Sequence, residues 1–229
     1  MTAKNKTFKF VEIEVKQDDD PAINPVEDYD MFGKMVFFHR RMNLGHESPS
    51  CSPDRWTRNW LQQNTKIDWD EIEDMEESKI WAEFEKINYA VPVYAFEHGG
   101  ITIRCNSKGT GWDSWDSGQL GFTFASYDSI RKEFGKGKTH RLTSAAITRA
   151  EKCLVSEVDN YDDYLNGNVW GYIITDKDTG EELDSCWGFI GDESYCREEA
   201  ESSAKHYEKE LKAESKKIQS RLDVFTKVA

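Results

Sequence analysis

Apolar residues alternate with polar ones in several stretches of the chain, and this pattern predicts β-strands. Around Gly99-Gly100 and at residues 178–180 such stretches flank glycine-containing turns, which predicts two hairpins. A dense apolar run from Met35 to Arg41 is interpreted as a strand, with a helix as the competing interpretation because the run is short. The predicted strands and hairpins are 6–17, in which Val11, Ile13 and Val15 share one side, 35–41, 91–106, 119–127 and 169–191.

Elsewhere apolar residues recur every three or four positions, which is the spacing of amphipathic helices. Ser52-Pro53 opens one of these segments, and Gly135 closes another. In the last segment the apolar stripe is narrow, so the helix either docks on the body of the protein or pairs with another subunit. The predicted helices are 52–64, 68–87, 128–135, 143–165 and a long C-terminal helix over 195–226.

Antiparallel hairpins together with separate helices predict an α+β fold, in which the hairpins form a sheet that packs against the helices. No internal repeat and no low-complexity linker interrupts the sequence. We therefore expect residues 1–229 to form a single α+β domain.

The chain is strongly acidic, and this restricts the class of partner. Forty-three Asp and Glu residues oppose 30 Lys and Arg residues, for a formal charge of −13. A duplex-DNA binder needs the opposite balance, because Lys and Arg displace the counterions of the phosphates. The surplus of negative charge suits a basic protein partner or an imitation of a nucleic-acid backbone. Imitation requires that three acidic clusters share one face: Asp18–Asp20, Asp68–Glu77 and Glu157–Asp163.

Cysteine usage and hydropathy bear on where the protein acts. The five cysteines are scattered and form no Cys-x-x-Cys pair, which is typical of reduced thiols. The sequence has no signal-peptide core and no run of about eighteen apolar residues. We expect a cytoplasmic protein, in the host cytoplasm if a phage encodes it, without membrane association.

Specific catalytic motifs are absent from the sequence. It lacks a His-Glu-x-x-His zinc motif, a phosphate-binding glycine loop and a Gly-x-Ser-x-Gly elbow. We therefore expect neither a metal nor a cofactor. Enzymatic activity stays open at this point, with a binding protein as the favoured hypothesis.

The run His39-Arg40-Arg41 is the first candidate binding site. Two guanidinium groups can hold a phosphate or a carboxylate in bidentate fashion, and an imidazole can move a proton. The alternative is structural. Alternation along a strand would place His39 and Arg41 on one face and Arg40 on the other, where these residues neutralise acids.

The stretch GTGWDSWDSGQLGF, residues 109–122, is the second candidate. Its Asp, Ser and Gly residues predict a rigid turn. Trp115, Asp116 and Gln119 either belong to that turn or form a recognition patch, and Asp116 has the chemistry of a general base. A similar order, DSCWGF, adds Asp184 and Trp187, and we expect Trp187 and Trp115 to line the core or one shared edge.

An enzymatic hypothesis uses His98 as well. If His39, His98, Asp116 and Asp184 converge on one cleft, the chain is a small hydrolase or a nucleotide-handling enzyme. If they are dispersed and bonded to backbone groups, that hypothesis loses support.

Five segments stand out together: MVFFHRRMNLG, GITI, WDSGQLGF, EVDNYDDYLNGNVWGY and DSCWGFIG, spread over residues 25–195. They resemble a family of proteins encoded by tailed bacteriophages, prophages and related mobile elements, for which WDSGQ-x-G and DSCWGF are distinctive as a pair. Members of that family carry Cys-Pro before Trp-Asp-Ser-Gly-Gln, whereas here Asp113 and Ser114 precede Trp115. The resemblance implies a phage accessory protein, and such proteins often act against host machinery, including restriction and CRISPR systems.

We therefore expect a phage-type accessory protein that binds a host macromolecule and inhibits or redirects it. The expected partner is a host protein that is basic or itself binds nucleic acid, while direct nucleic-acid binding by this chain is not expected. Assembly through the C-terminal helix, as a homo-oligomer or a virion component, is left open. The expected binding residues are His39, Arg40, Arg41, His98, Trp115, Asp116, Gln119, Asp184 and Trp187.

Overall fold

The computed structural model describes residues 7–105, 117–136 and 141–228, with side chains as far as residue 220. Within them the chain has the predicted α+β fold, including both hairpins and the long C-terminal helix. The strands are β1 (Val11–Gln17), β2 (Lys34–Phe37), β3 (Asn88–Glu97), β4 (Ile101–Arg104), β5 (Ser117–Ser126), β6 (Val169–Asp176) and β7 (Glu182–Ile190). The helices are α1 (Pro25–Asp28), α2 (Pro53–Asn64), α3 (Trp69–Glu73), α4 (Glu77–Ile87), α5 (Tyr127–Phe134), α6 (Ser144–Leu165) and α7 (Glu193–Val228).

The chain divides into two compact units, one of Asn24–Asn166 and one of Met1–Ile23 with Gly167–Ala229. The second of these has an antiparallel sheet in the order β1-β6-β7, and α7 packs against it. Its buried core consists of Val11, Tyr172, Ile174, Cys196, Ala200 and Ala204. A single domain over the whole chain stays a prediction.

The unit Asn24–Asn166 is built on a four-stranded antiparallel sheet in the order β2-β5-β3-β4. One face of this sheet packs against α6, which contributes Tyr161 to the core. On the other face α2 and α4 supply Trp56 and Phe84. These rings meet Phe122 of β5 edge to face, at centroid distances of 5.5 and 5.7 Å. Aromatic packing of this kind fixes α2 and α4 on the sheet.

The prediction of one helix over 68–87 is wrong, because the segment forms two helices, α3 and α4. The cause is Arg58 of α2, whose side chain is only 11% exposed. Its guanidinium donates to three backbone carbonyl oxygens at and beyond the end of α3, those of Ile72, Glu73 and Met75. A continuous helix would use these oxygens for its own hydrogen bonds, so their capture ends α3.

Two acids of α6 point into their own unit and bind backbone groups. Glu157 accepts the N–H groups of Phe32 and Gly33 at 2.5 and 2.9 Å. Asp162 accepts the N–H of Ile103 in the edge strand β4 at 2.7 Å. Burial raises the pKa of both carboxyl groups. The acidic cluster on α6 is therefore partly structural, and it is not wholly available to imitate phosphates.

The first half of α7 is docked on the sheet of its own unit. Ala200 and Ala204 are fully buried there, and Tyr207 and Leu211 pack beside them. The docking interpretation is thus confirmed for this half of the helix. None of the helices in the part of the chain that the structure describes combines the length and apolar character needed to cross a membrane.

Candidate functional site

The strand predicted over 35–41 is shorter in the structure, because β2 ends at Phe37. Beyond it, the Nδ1 atom of His39 accepts the backbone N–H groups of Arg41 and Met42 at 3.2 and 3.0 Å. These bonds close a turn, so the chain leaves the sheet instead of continuing the strand. The strand prediction is therefore wrong from Phe38 onward.

Glu97, the last residue of β3, holds this turn in place. Its carboxylate bonds to Nε2 of His39 at 3.1 Å and to Nη2 of Arg41 at 2.7 Å. The hydrogen bond with His39, reinforced by Arg41, lowers the pKa of Glu97. His39 and Arg41 therefore share one acid, as the structural interpretation of the run expects.

Both ring nitrogens of His39 are engaged, which bears on its chemistry. Nδ1 faces two backbone donors and so carries no proton, which makes the Nε2–H group the donor to Glu97. The side chain is only 7% exposed. A general base needs a lone pair directed at its substrate. His39 supports the turn instead.

Arg40 is the member of the run that the turn leaves available. Its side chain is exposed and bonds to none of the described residues. It borders an open cleft of about 690 Å³, named here the arginine cleft. The cleft forms where β2 stops at Phe37 while β5 continues through Ser117–Gln119. Its lining residues are Phe38, His39, Arg40, Arg41, Ala95, Glu97, Ser117, Gly118, Gln119 and Leu120.

A second open cleft, of about 600 Å³ and named here the aromatic cleft, lies between α4 and the sheet. Glu77, Trp81 and Glu85 line it, and their spacing of four residues places them on one face of α4. Trp81 is held by Phe84 at a centroid distance of 5.2 Å and by the edge of Phe122 at 5.0 Å. The other lining residues are Phe38, Pro53, Ala90, Pro92, Tyr94, Gln119, Leu120, Gly121 and Phe122.

The two clefts adjoin, and together they are named the sheet groove. Three residues line both clefts: Phe38, Gln119 and Leu120. Exposed carboxylates of Glu77 and Glu85 lie at the aromatic end, and the guanidinium of Arg40 lies at the other. Opposite charges at the two ends of a groove with an aromatic wall suit a segment of another protein.

The groove contains four of the predicted binding residues, namely His39, Arg40, Arg41 and Gln119. His98 lies just beyond β3, where it is exposed and its ring centroid is 6.1 Å from that of Phe96. Trp115 and Asp116 lie outside the described residues. The recognition-patch hypothesis for the Trp-Asp-Ser motif stays a prediction.

Asp184 and Trp187 belong to the sheet β1-β6-β7, and their environments differ. Asp184 accepts the hydroxyl groups of Ser203 at 2.6 Å and Tyr172 at 3.4 Å, so it is a structural acceptor. Trp187 is 42% exposed, so the core is wrong as one of its two predicted positions, and an edge shared with Trp115 stays a prediction. The indole lies over Gly171, where a Cβ atom would be 2.1 Å from the ring carbon Cε3. The missing side chain lets the ring rest against the backbone and remain accessible.

Three of the five thiols are unsuited to nucleophilic chemistry. Burial raises the pKa of Cys105 to about 12 and that of Cys196 to about 11, and it also raises the pKa of Cys153. A raised pKa keeps the thiol protonated, whereas the thiolate is the nucleophile. In the part of the chain that the structure describes, no three His, Cys, Asp or Glu side chains are placed to hold a metal ion.

Sequence reasoning missed the aromatic end of the groove. The signal was present, because Glu77, Trp81 and Glu85 recur at intervals of four. The same spacing describes a solvated helix face, however, and only the position of α4 against the sheet makes it the wall of a cleft.

Comparisons with known protein families, with curated proteins and with solved structures found no match for this chain. No relative therefore indicates a ligand or a reaction for the groove. Its chemistry is that of its own side chains: carboxylates at one end, an indole and a phenol along the wall, and a guanidinium at the other end.

Proposed function

We propose that this chain is a phage-type accessory protein that binds a host protein and inhibits or redirects it. The resemblance of the five sequence segments supports the phage origin. The binding role is carried by one observation. The sheet groove presents exposed charges around an aromatic wall, while the imidazole that lines it, His39, is occupied by backbone donors and by Glu97.

A basic segment of the partner fits the aromatic end of the groove. Glu77 and Glu85 flank Trp81, so a Lys or Arg side chain finds carboxylates and a ring face together. Arg40 at the other end suits a carboxylate or a carbonyl group of the same segment. The formal charge of −13 steers a basic partner toward the protein.

Nucleic-acid-binding proteins of host defence systems carry basic segments of this kind. Anti-restriction or anti-CRISPR inhibition is therefore the form of activity that we propose. Glu157 and Asp162 of the α6 cluster face inward and bind backbone groups. We therefore assign recognition to the carboxylates of Glu77 and Glu85 in the groove.

The alternative function, a small hydrolase or nucleotide-handling enzyme, depends on His39, His98, Asp116 and Asp184 acting together. His39 and Asp184 are each bonded within their own unit, to Glu97 and backbone in one case and to two hydroxyl groups in the other. These bonds favour binding over catalysis.

Capture from a bacterial host lysate tests the proposal. The tagged full chain is compared with Glu77→Lys/Glu85→Lys and with Glu198→Lys/Glu199→Lys, an equal charge change at exposed positions of α7. We expect the first two-residue variant to recover at least about tenfold less of one stoichiometric host protein, because like charges then meet in the groove. The α7 variant should recover the wild-type amount. Equal recovery by both variants, or no protein recovered by the wild type, contradicts the proposal.

A further inference from the structure

The two halves of α7 differ in their surroundings. As far as Leu211 the helix packs on the sheet of its own unit. Beyond it, every residue from 212 to 220 is exposed, and Ile218 is 52% exposed. The helix nevertheless continues to Val228. We name the segment 212–228 the arm.

The sequence of the arm is that of a docking helix. Leu222 and Phe225 follow Ile218 at intervals of four and three residues, the spacing of an apolar stripe. Helices in proteins owe most of their stability to the packing of such a stripe. The stripe therefore calls for a surface that covers it.

The arm also has the opposite charge to the rest of the chain. It holds five of the 30 Lys and Arg residues but only two of the 43 Asp and Glu residues. Lys216 and Lys217 flank Ile218 on one side, and Arg221 follows it three positions later. A basic, amphipathic helix is complementary to a groove that is aromatic and acidic.

We propose that the arm of one copy docks in the aromatic cleft of a second copy of this chain. Glu77, Trp81 and Glu85 lie on one face of α4, four residues apart. Lys216 and Lys217 directly precede Ile218 of the apolar stripe of the arm. Docking that places Ile218 near Trp81 then brings these bases close to the acids that flank Trp81 on α4.

This inference rests on the proposed function, because it uses the cleft that we assign to the basic segment of the host partner. Two copies that exchange arms form a closed dimer. The arm of the second copy and the host protein then compete for the aromatic cleft. The host protein therefore binds the monomer and dissociates the dimer. The dimer measured on purified protein is independent of any host protein, which keeps the two proposals separable.

Sedimentation velocity of the purified full chain, over a series of concentrations at low and high salt, tests the inference. We expect reversible dimerisation that weakens as salt rises. Glu77→Lys/Glu85→Lys and Lys216→Glu/Lys217→Glu should each weaken it at least about tenfold, because each places like charges together. Combining all four substitutions restores opposite charges and should recover most of the affinity. Glu198→Lys/Glu199→Lys is the matched control and should dimerise as the wild type does.

Several outcomes overturn the inference. A wild-type chain that stays monomeric at every concentration does so directly. If dimerisation is lost in Lys216→Glu/Lys217→Glu but unchanged in Glu77→Lys/Glu85→Lys, the arm binds the arm of the second copy and not the aromatic cleft. A monomeric chain whose binding of duplex DNA depends on Lys216 and Lys217 assigns the arm to nucleic acid. If dimerisation behaves as expected but Glu77→Lys/Glu85→Lys captures as much host protein from the lysate as the wild type, only the proposed host-binding function fails.

Discussion

Two histidines of this protein serve as acceptors for backbone N–H groups. His39 accepts from Arg41 and Met42, and His46 accepts from Met35 at 3.0 Å, in each case through Nδ1. A bond of this kind uses the lone pair that a general base would need. The residue types alone suggested proton transfer at His39. The sequence does not show which ring nitrogen meets the backbone, because that depends on the turn.

The role of His46 predicts a pH dependence of stability. Burial, followed by the charge of Lys34, lowers the pKa of His46 from its usual 6.5, against the opposing effect of Glu47. A lowered pKa favours the neutral ring in the folded state. Its contribution to stability is therefore present above pH 6.5 and is lost as the pH falls through the folded-state pKa.

His46→Asn replaces the Nδ1 acceptor by an amide oxygen that does not titrate. We expect the free energy of unfolding of the wild type to fall relative to this variant as the pH decreases from about 7 to about 5. Urea denaturation at a series of pH values measures the difference. A constant difference between the two proteins across this range contradicts the role given to His46.

At the scale of elements, the division between α3 and α4 shows what a local pattern cannot reveal. The apolar positions from Trp69 to Ile87 follow a helical period, and the sequence supports one helix. Arg58 ends α3 by taking its carbonyl oxygens, and that contact depends on how α2 packs. The early end of β2 has a similar cause, since Glu97 of a distant strand fixes the turn at His39.

Arg58→Met tests the role of this contact. The variant removes the side-chain donor from the carbonyl oxygens of Ile72, Glu73 and Met75, of which Ile72 keeps a backbone donor, and we expect a loss of about 2–4 kcal/mol in the free energy of unfolding. Arg55→Met is the control, because the Arg55 side chain is 48% exposed and pairs with Glu73 at the surface. It should cost about 1 kcal/mol or less. If urea denaturation gives equal losses in the free energy of unfolding for the two variants, capping by Arg58 is not what separates α3 from α4.

At the scale of the whole molecule, the sequence predicted the fold class and four residues of the arginine cleft, but not the groove as a whole. Local periodicity predicts the hairpins around Gly99 and residues 178–180 and the docked first half of α7. All three are present in the structure. The sheet groove does not follow from local periodicity, because it needs the end of β2, the part of β5 that extends beyond β2 and the face of α4 in one place. The exposure of Trp187, which was predicted to line the core or a shared edge, has a related reason, since the glycine on which its ring rests lies on another strand.

Charge is distributed unevenly along the chain, and the proposals depend on that asymmetry. The whole chain has a formal charge of −13, whereas the arm itself has five bases and only two acids, so the negative charge lies in the part before the arm. A net charge this large keeps copies apart unless opposite charges meet at a defined contact. The groove and the arm supply such a contact.

Site-directed photocrosslinking in a host lysate tests the central claim, that the sheet groove binds another protein, most directly. A photoreactive phenylalanine analogue replaces Tyr94, which lines the aromatic cleft, or Tyr29, which is 45% exposed and lines neither cleft. We expect a host protein to become covalently attached through position 94 and not through position 29. Attachment through position 29 alone, or no attachment at 94 while the host protein is still captured, would contradict the claim.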